Sequence, residues 1–194
     1  MSEICKVSIM APAEIWSQTI EELAQLVTKT VTTTVSASGR VHSHSEVSVV
    51  MSDARELHIL NKEYRGIDAT TNVLSFPGDE LDTDEGSFTS LGRPMVLGDI
   101  VVAFEVIRDE AADQGKAIEN HLAHMLVHGT LHLCGYDHEK SKKNAKAMED
   151  LERQILLSMG VADPYEAPAK KPKAKAKSKS KSKAKPKKSG AKSK

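Results

Sequence analysis

The sequence predicts an α+β domain, a mixed sheet of about four strands packed with about five helices, followed by a disordered basic C-terminal tail. Three features carry that prediction. Short apolar or alternating segments are separated by longer stretches with apolar residues at steps of three and four. A histidine-rich apolar segment at 118–134 is too long for a strand and has the length of a helix. From Pro168 onward the chain is built of lysine, alanine, serine and proline with one glycine, a composition that cannot bury a core. The expected division puts the folded domain at 1–162 and the lysine-rich tail at 163–194.

In chain order, Cys5, Val7 and Ile9 alternate with Lys6 and Ser8, as in a strand with one buried face. Pro12 suits the first turn of a helix, which Trp16, Ile20, Leu23, Val27 and Val31 continue as one amphipathic stripe to about Thr33. Residues 36–45 read as a loop in which His42 and His44 are solvated. A second strand covers 46–52, with Val47, Val49 and Met51 on one side. Asp53 and Glu56 make a capping-box-like start to a helix that buries Leu57, Leu60 and Tyr64 and ends at Gly66. A third strand covers 71–76, closed by Pro77. The acidic residues Asp79, Glu80, Asp82, Asp84 and Glu85 in 78–94 follow no calcium-loop spacing and read as a solvated loop. Residues 96–103, nearly all apolar after Asp99, form a fourth, central strand. A helix over 104–114 is stopped by Gly115, the histidine helix follows at 118–134, and Met148, Leu151, Ile155 and Leu156 mark a last helix ending at Gly160.

Residues 121–138 read HLAHMLVHGTLHLCGYDH. His128 and His132 are one helical turn apart and point the same way, their Cβ atoms roughly 6 Å from each other. His138 lies on another face if the helix continues. A left-handed Gly135 would end the helix and fold Tyr136, Asp137 and His138 back beneath the other two rings. Three neutral imidazoles around zinc, with the fourth position left to water, is the arrangement of a working site rather than a structural one. A single histidine on an apolar helix is ordinarily a packed residue, but three at this spacing around a glycine are not explained that way. The spacing HxxxHxxGxxH makes this a zincin-like metal helix, matching the metzincin proteases except that Gly129 stands where those carry a glutamate base. His124, one turn before His128, is read as supporting the ligands from behind, and Cys134 as a small core residue.

The net charge of zero conceals a partition. Residues 170–194 hold 13 lysines and no acids, leaving 14 basic against all 27 acidic residues in 1–169, a net charge of −13. Such a tail binds polyanions through phosphate neutralisation, or serves solubility with no fixed partner. The two cysteines are far apart in sequence, which argues against a disulfide framework and for a reducing compartment. No signal-like segment or stretch of membrane-spanning length is visible, so a cytoplasmic location is expected and no membrane partner.

HGTLHLCGYDH at 128–138 matches HGxLHLxGYDH, and LNKEYRGIDATTNVLSFP at 60–77 is followed by LGDI at 97–100. On these segments the chain resembles the YbeY family of bacterial endoribonucleases over roughly residues 1–160. The basic tail and the acidic loop are not part of that pattern. The resemblance implies a single-strand-specific, zinc-dependent endoribonuclease acting in rRNA maturation at the 16S 3′ end and in ribosome quality control. Its implied partners are rRNA and the small ribosomal subunit. The implied zinc (Zn2+) ligands are His128, His132 and His138, and the implied catalytic residues are Arg65 and His128. By itself Arg65 would be an unremarkable helix-end arginine. In this setting its guanidinium can grip a phosphate through paired donors and stabilise charge developing there. Candidate proton acceptors include Asp137, which reads equally as a residue holding the turn. Two rivals remain: a non-catalytic, zinc-stabilised ribosome-associated factor, and a zincin-type metalloprotease, against which Gly129 speaks.

Overall fold

Apolar side chains on both faces of one strand demand cover on both sides, and 95–103 is such a strand: it lies inside a four-stranded sheet, between the strands at 45–52 and 73–77. The computed structural model describes residues 5–11, 13–42, 44–78 and 94–166. Its strands are β1 (Cys5–Met10), β2 (Ser45–Ser52), β3 (Val73–Pro77) and β4 (Met95–Ala103). Strands β1, β2 and β4 run parallel, and β3 pairs antiparallel with β4, Val73 opposite Val102 and Pro77 opposite Gly98. The sheet is mixed, as expected.

Six helices are present among the described residues: α1 (Ile15–Thr19), α2 (Leu23–Ser38), α3 (Ala54–Arg65), α4 (Phe104–Gln114), α5 (Ile118–Leu133) and α6 (Lys142–Ser158). The extra one arises because the single helix expected to run to about Thr33 is broken. Ile20 is extended and Glu22 is left-handed, at φ 55°. The apolar spacing runs through this break without a flaw, so periodicity could not reveal it. Tertiary contacts do: the Trp16 indole N–H donates to the Ser52 carbonyl at 2.9 Å, seating α1 at the end of β2. Helix α2 then takes its own line over the sheet, burying Val27, Val31 and Val35, and reaches Ser38, into the stretch expected to be loop.

One face of the sheet is covered by α2 and α5, whose Val27, Val31, Leu122 and Leu126 meet Val47, Val49, Ile100 and Val102. Helix α5 is apolar nearly all round because α6 packs on its outer side, Met148, Ile155 and Leu156 against Ala123, Val127 and Leu131. On the opposite face Leu57 of α3 packs on Leu74 and Val101. The start of α3 is capped by Asp53, which accepts from the Glu56 N–H at 2.8 Å, whereas the Glu56 carboxylate bonds Ser52. Tyr64, expected to be buried with Leu57, is exposed, and Asn61 is buried in that helix instead. Tyr64 stands at the edge strand, its ring against Phe76 of β3.

Pro12, most of the acidic stretch (79–93) and the lysine run fall outside the described residues. The segment 163–166, which the expected division at 162 assigns to the tail, is bonded to the body. Arg153 Nε meets Asp163 Oδ2 at 2.6 Å, and Lys116 Nζ donates to the Pro164 carbonyl at 2.8 Å. No helix among the described residues is long and apolar enough to cross a membrane.

Candidate metal centre and its cleft

Helix α5 reaches the site by lying unusually close to the sheet at Gly129. A Cβ there would sit 2.9 Å from Ser75 Oγ, 3.2 Å from Ile100 Cγ2 and 3.3 Å from Val73 Cγ2. Ser75 Oγ donates to the Gly129 carbonyl at 3.1 Å, fastening helix to strand. A side chain at 129 would thus point into β3 and β4, not towards the imidazoles, so no glutamate base fits at this position. Gly129→Ala should lower stability by about 1–3 kcal/mol, as overpacked sites do. Denaturant unfolding with an unchanged slope is the measurement.

At its C-terminus α5 closes in a Schellman motif. Gly135 is left-handed at φ 77°, its N–H donates to the His132 carbonyl at 2.9 Å, and the Tyr136 N–H donates to the Leu131 carbonyl at 3.0 Å. The reversal carries His138 back to the helix, its ring 5.0 Å from that of His132 and 5.2 Å from that of His128. One nitrogen from each of the three rings lies within 4.8 Å of the others, and the Nε2 atoms of His128 and His132 are 3.1 Å apart. This is the one such group of potential metal ligands among the described residues.

Two supports come from elsewhere in the chain. Arg40, just past α2, donates to the Gly135 carbonyl at 2.6 Å and stacks over Tyr136 at 3.7 Å, while the Tyr136 hydroxyl donates to the Ser38 carbonyl at 2.8 Å. These contacts clamp the turn that delivers His138. Behind the site, Glu152 of α6 is 1% exposed. Its Oε1 accepts from His128 Nδ1 at 2.8 Å; Oε2 lies 3.4 Å from His124 Nε2 and accepts from the Tyr165 hydroxyl. Burial alone would raise its pKa, but the bonds from His124, His128 and Tyr165 outweigh burial and bring it down to about 2. Sequence reasoning missed Glu152, although a signal existed: a glutamate four residues after Met148 and three before Ile155 stands on the apolar stripe of α6. Arg40 carried no such mark, since nothing local distinguishes it from a solvated arginine.

This arrangement suits a divalent ion held by nitrogen. An ionised Glu152 keeps the proton on Nδ1 of His128 and leaves the Nε2 lone pair facing the cleft. Burial, then the neighbouring His128 and His138, push His132 down to about 4, so it is neutral near pH 7 and can donate to a metal. His124 is turned to Glu152 and stands outside the group, as expected. His42 and His44 are exposed and also outside it. Cys134 is buried, its thiol raised to about 11 by burial, and serves as packing.

The three rings open onto a cleft of roughly 460 Å³ that Arg65, Asn72, Ser75 and Lys140 also line. Arg65, the last residue of α3, is about half-exposed and holds Glu139 Oε1 at 3.2 Å. Asp137 accepts the Glu139 N–H at 2.8 Å and lies 3.5 Å from Lys140 Nζ. That backbone bond holds its carboxyl below the usual range, and its oxygens are engaged in the turn. The structure therefore brings Arg65, His128, His132 and His138 to one cleft.

The profile of the family described as Endoribonuclease YbeY matches residues 11–160. The chain belongs to the YbeY family. This YbeY-family chain is 47% identical over 121 residues to an "Endoribonuclease YbeY" of Rhodopseudomonas palustris (strain BisB5), covering 62% of each chain. It is 47% identical over 124 residues to that of Novosphingobium aromaticivorans, covering 64% of this chain and 74% of the relative. A third, from Rhodopseudomonas palustris (strain BisB18), is 40% identical over 157 residues, covering 81% of this chain and 90% of the relative.

Proposed function

We propose that this chain is a zinc-dependent endoribonuclease specific for single-stranded RNA, acting in rRNA maturation at the 16S 3′ end and in ribosome quality control. Membership of the YbeY family, whose relatives carry the endoribonuclease name, supports the reaction class. The observation that carries the reading is the Arg65 guanidinium lining the same cleft as three convergent imidazoles. His128, His132 and His138 would hold the ion, and Arg65 and His128 would be the catalytic residues, His128 as a ligand oriented by Glu152. When bound, zinc would supply Lewis acidity towards a phosphate oxygen and lower the pKa of its water to about 7. Arg65 binds and orients the phosphodiester through paired N–H donors and offsets its developing charge. To do so it leaves Glu139, an exposed partner worth at most about 1 kcal/mol. Asp137 holds the turn.

The lysine-rich tail offsets the acidic body and would add phosphate contacts on rRNA or the small subunit in the cytoplasm. Gly129 faces the sheet, so the position that supplies the base in zincin proteases is closed here. Metal analysis of purified protein, with RNA and casein digestion side by side, tests the proposal. The expected result is one zinc per chain and RNA cleavage abolished by chelator and restored by zinc, with casein intact. Casein cleavage would favour a protease. Stoichiometric zinc without RNA products would favour a ribosome-associated factor that uses the ion to order its fold.

A further inference from the structure

On the helical stripe that buries Leu57 and Asn61 in α3, Tyr64 is the next position facing the sheet, yet it is 68% exposed. The cause is the sheet's margin. β3 is the edge strand, and the Tyr64 ring meets Phe76 of β3 in a T-shaped pair, centroids 5.1 Å apart and ring planes at 72°. The contact leaves most of Tyr64 exposed, with ring surface free to take a stacked partner. Its chain neighbour Arg65 lines the cleft, as do Ser75 and Pro77, whose side chains alternate with that of Phe76, so the Tyr64 ring stands on the other face of this edge strand from the imidazoles. Aromatic residues make up 4% of the chain, and the other exposed tyrosine, Tyr165, is bonded to Glu152. Tyr64 therefore sits as a solvent-facing ring one residue from the arginine that would grip a phosphate.

We infer that Tyr64, braced by Phe76, is a stacking shelf for a nucleobase of the bound strand, next to the nucleotide whose phosphate Arg65 holds. This inference rests on the RNA-cleaving reading above and adds to it a site that contacts the base. Stacking accepts any base, because every base has a π-face, so the shelf confers a preference for unpaired strands without a sequence code. A paired base is stacked within its own duplex and cannot reach the ring.

The test uses the 194-residue, zinc-loaded chain with Tyr64→Trp, Tyr64→Phe and Tyr64→Ala. Trp16, the chain's one native tryptophan, is fully buried with its N–H bonded, so an added indole reports separately. Mixing with single-stranded oligoadenylate in a stopped-flow instrument, read before turnover, should quench the emission of Tyr64→Trp, whereas an abasic ribose-phosphate chain of equal length should not. Tyr64→Ala should raise KM for the oligonucleotide roughly 5- to 100-fold with kcat little changed, and Tyr64→Phe should retain the parent value. The shelf is overturned if Tyr64→Ala, shown folded by circular dichroism, has the parent's KM, or if the abasic chain quenches as strongly as oligoadenylate. A parent protein that binds and cleaves RNA while Tyr64→Ala does so equally removes the shelf alone. A parent that neither binds nor cleaves single-stranded RNA removes the nuclease reading and the shelf together.

Discussion

Arg65→Ala should keep its zinc and lower RNA cleavage by about 10²- to 10³-fold, the loss that follows removal of one donor aimed at developing charge. The side chain leaves from the last turn of α3, is half-exposed, and makes an exposed contact with Glu139, so the fold has little to lose. Arg65→Lys should recover a small part, because an ammonium supplies charge without the paired planar donors that fit a phosphate. Metal content by elemental analysis and kcat on a defined single-stranded RNA are the two measurements. Full activity in Arg65→Ala would remove the guanidinium from the mechanism. Loss of zinc with loss of activity would make Arg65 a support of the metal centre instead.

Glu152→Gln should weaken zinc binding by about 10- to 100-fold, the usual cost of losing the carboxylate behind a histidine ligand. The amide keeps the size of the side chain but forfeits the charge that fixes the proton on Nδ1 of His128. The carboxylate, brought down to about 2, is ionised throughout the working pH range, so the effect belongs to the metal centre and not to a change of protonation. A chelator competition titration measures it. Thermal unfolding of the metal-free protein provides the control, since a purely structural role would lower that melting temperature and leave zinc affinity alone. The same dissociation constant as the parent would show that the bond orients nothing.

Strand and helix positions were largely legible because periodicity records which side of an element is covered. The strands at 45–52 and 95–103 and the helices at 104–114 and 118–133 lie within about two residues of expectation. The broken helix at Ile20–Glu22 was not legible, since Trp16, Ile20, Leu23 and Val27 keep helical spacing across the break. What divides them is the hydrogen bond from the Trp16 indole to Ser52, on another element. Tyr64 failed in the opposite sense. Its spacing marks it for burial, but burial also requires that the sheet extend beneath it, and β3 is the last strand.

By itself the sequence determined the convergence of His128, His132 and His138, because that meeting is local. Two rings share a face one turn apart, and a left-handed glycine immediately after the helix returns the third. The tertiary structure alone decided what surrounds them. Glu152 arrives from 24 positions beyond His128, and Arg40 from 95 positions before Gly135. The sheet face against Gly129 leaves no room for a side chain there. Spacing along a chain specifies direction within one element, whereas partners from separate elements depend on how those elements pack, and no local pattern encodes that.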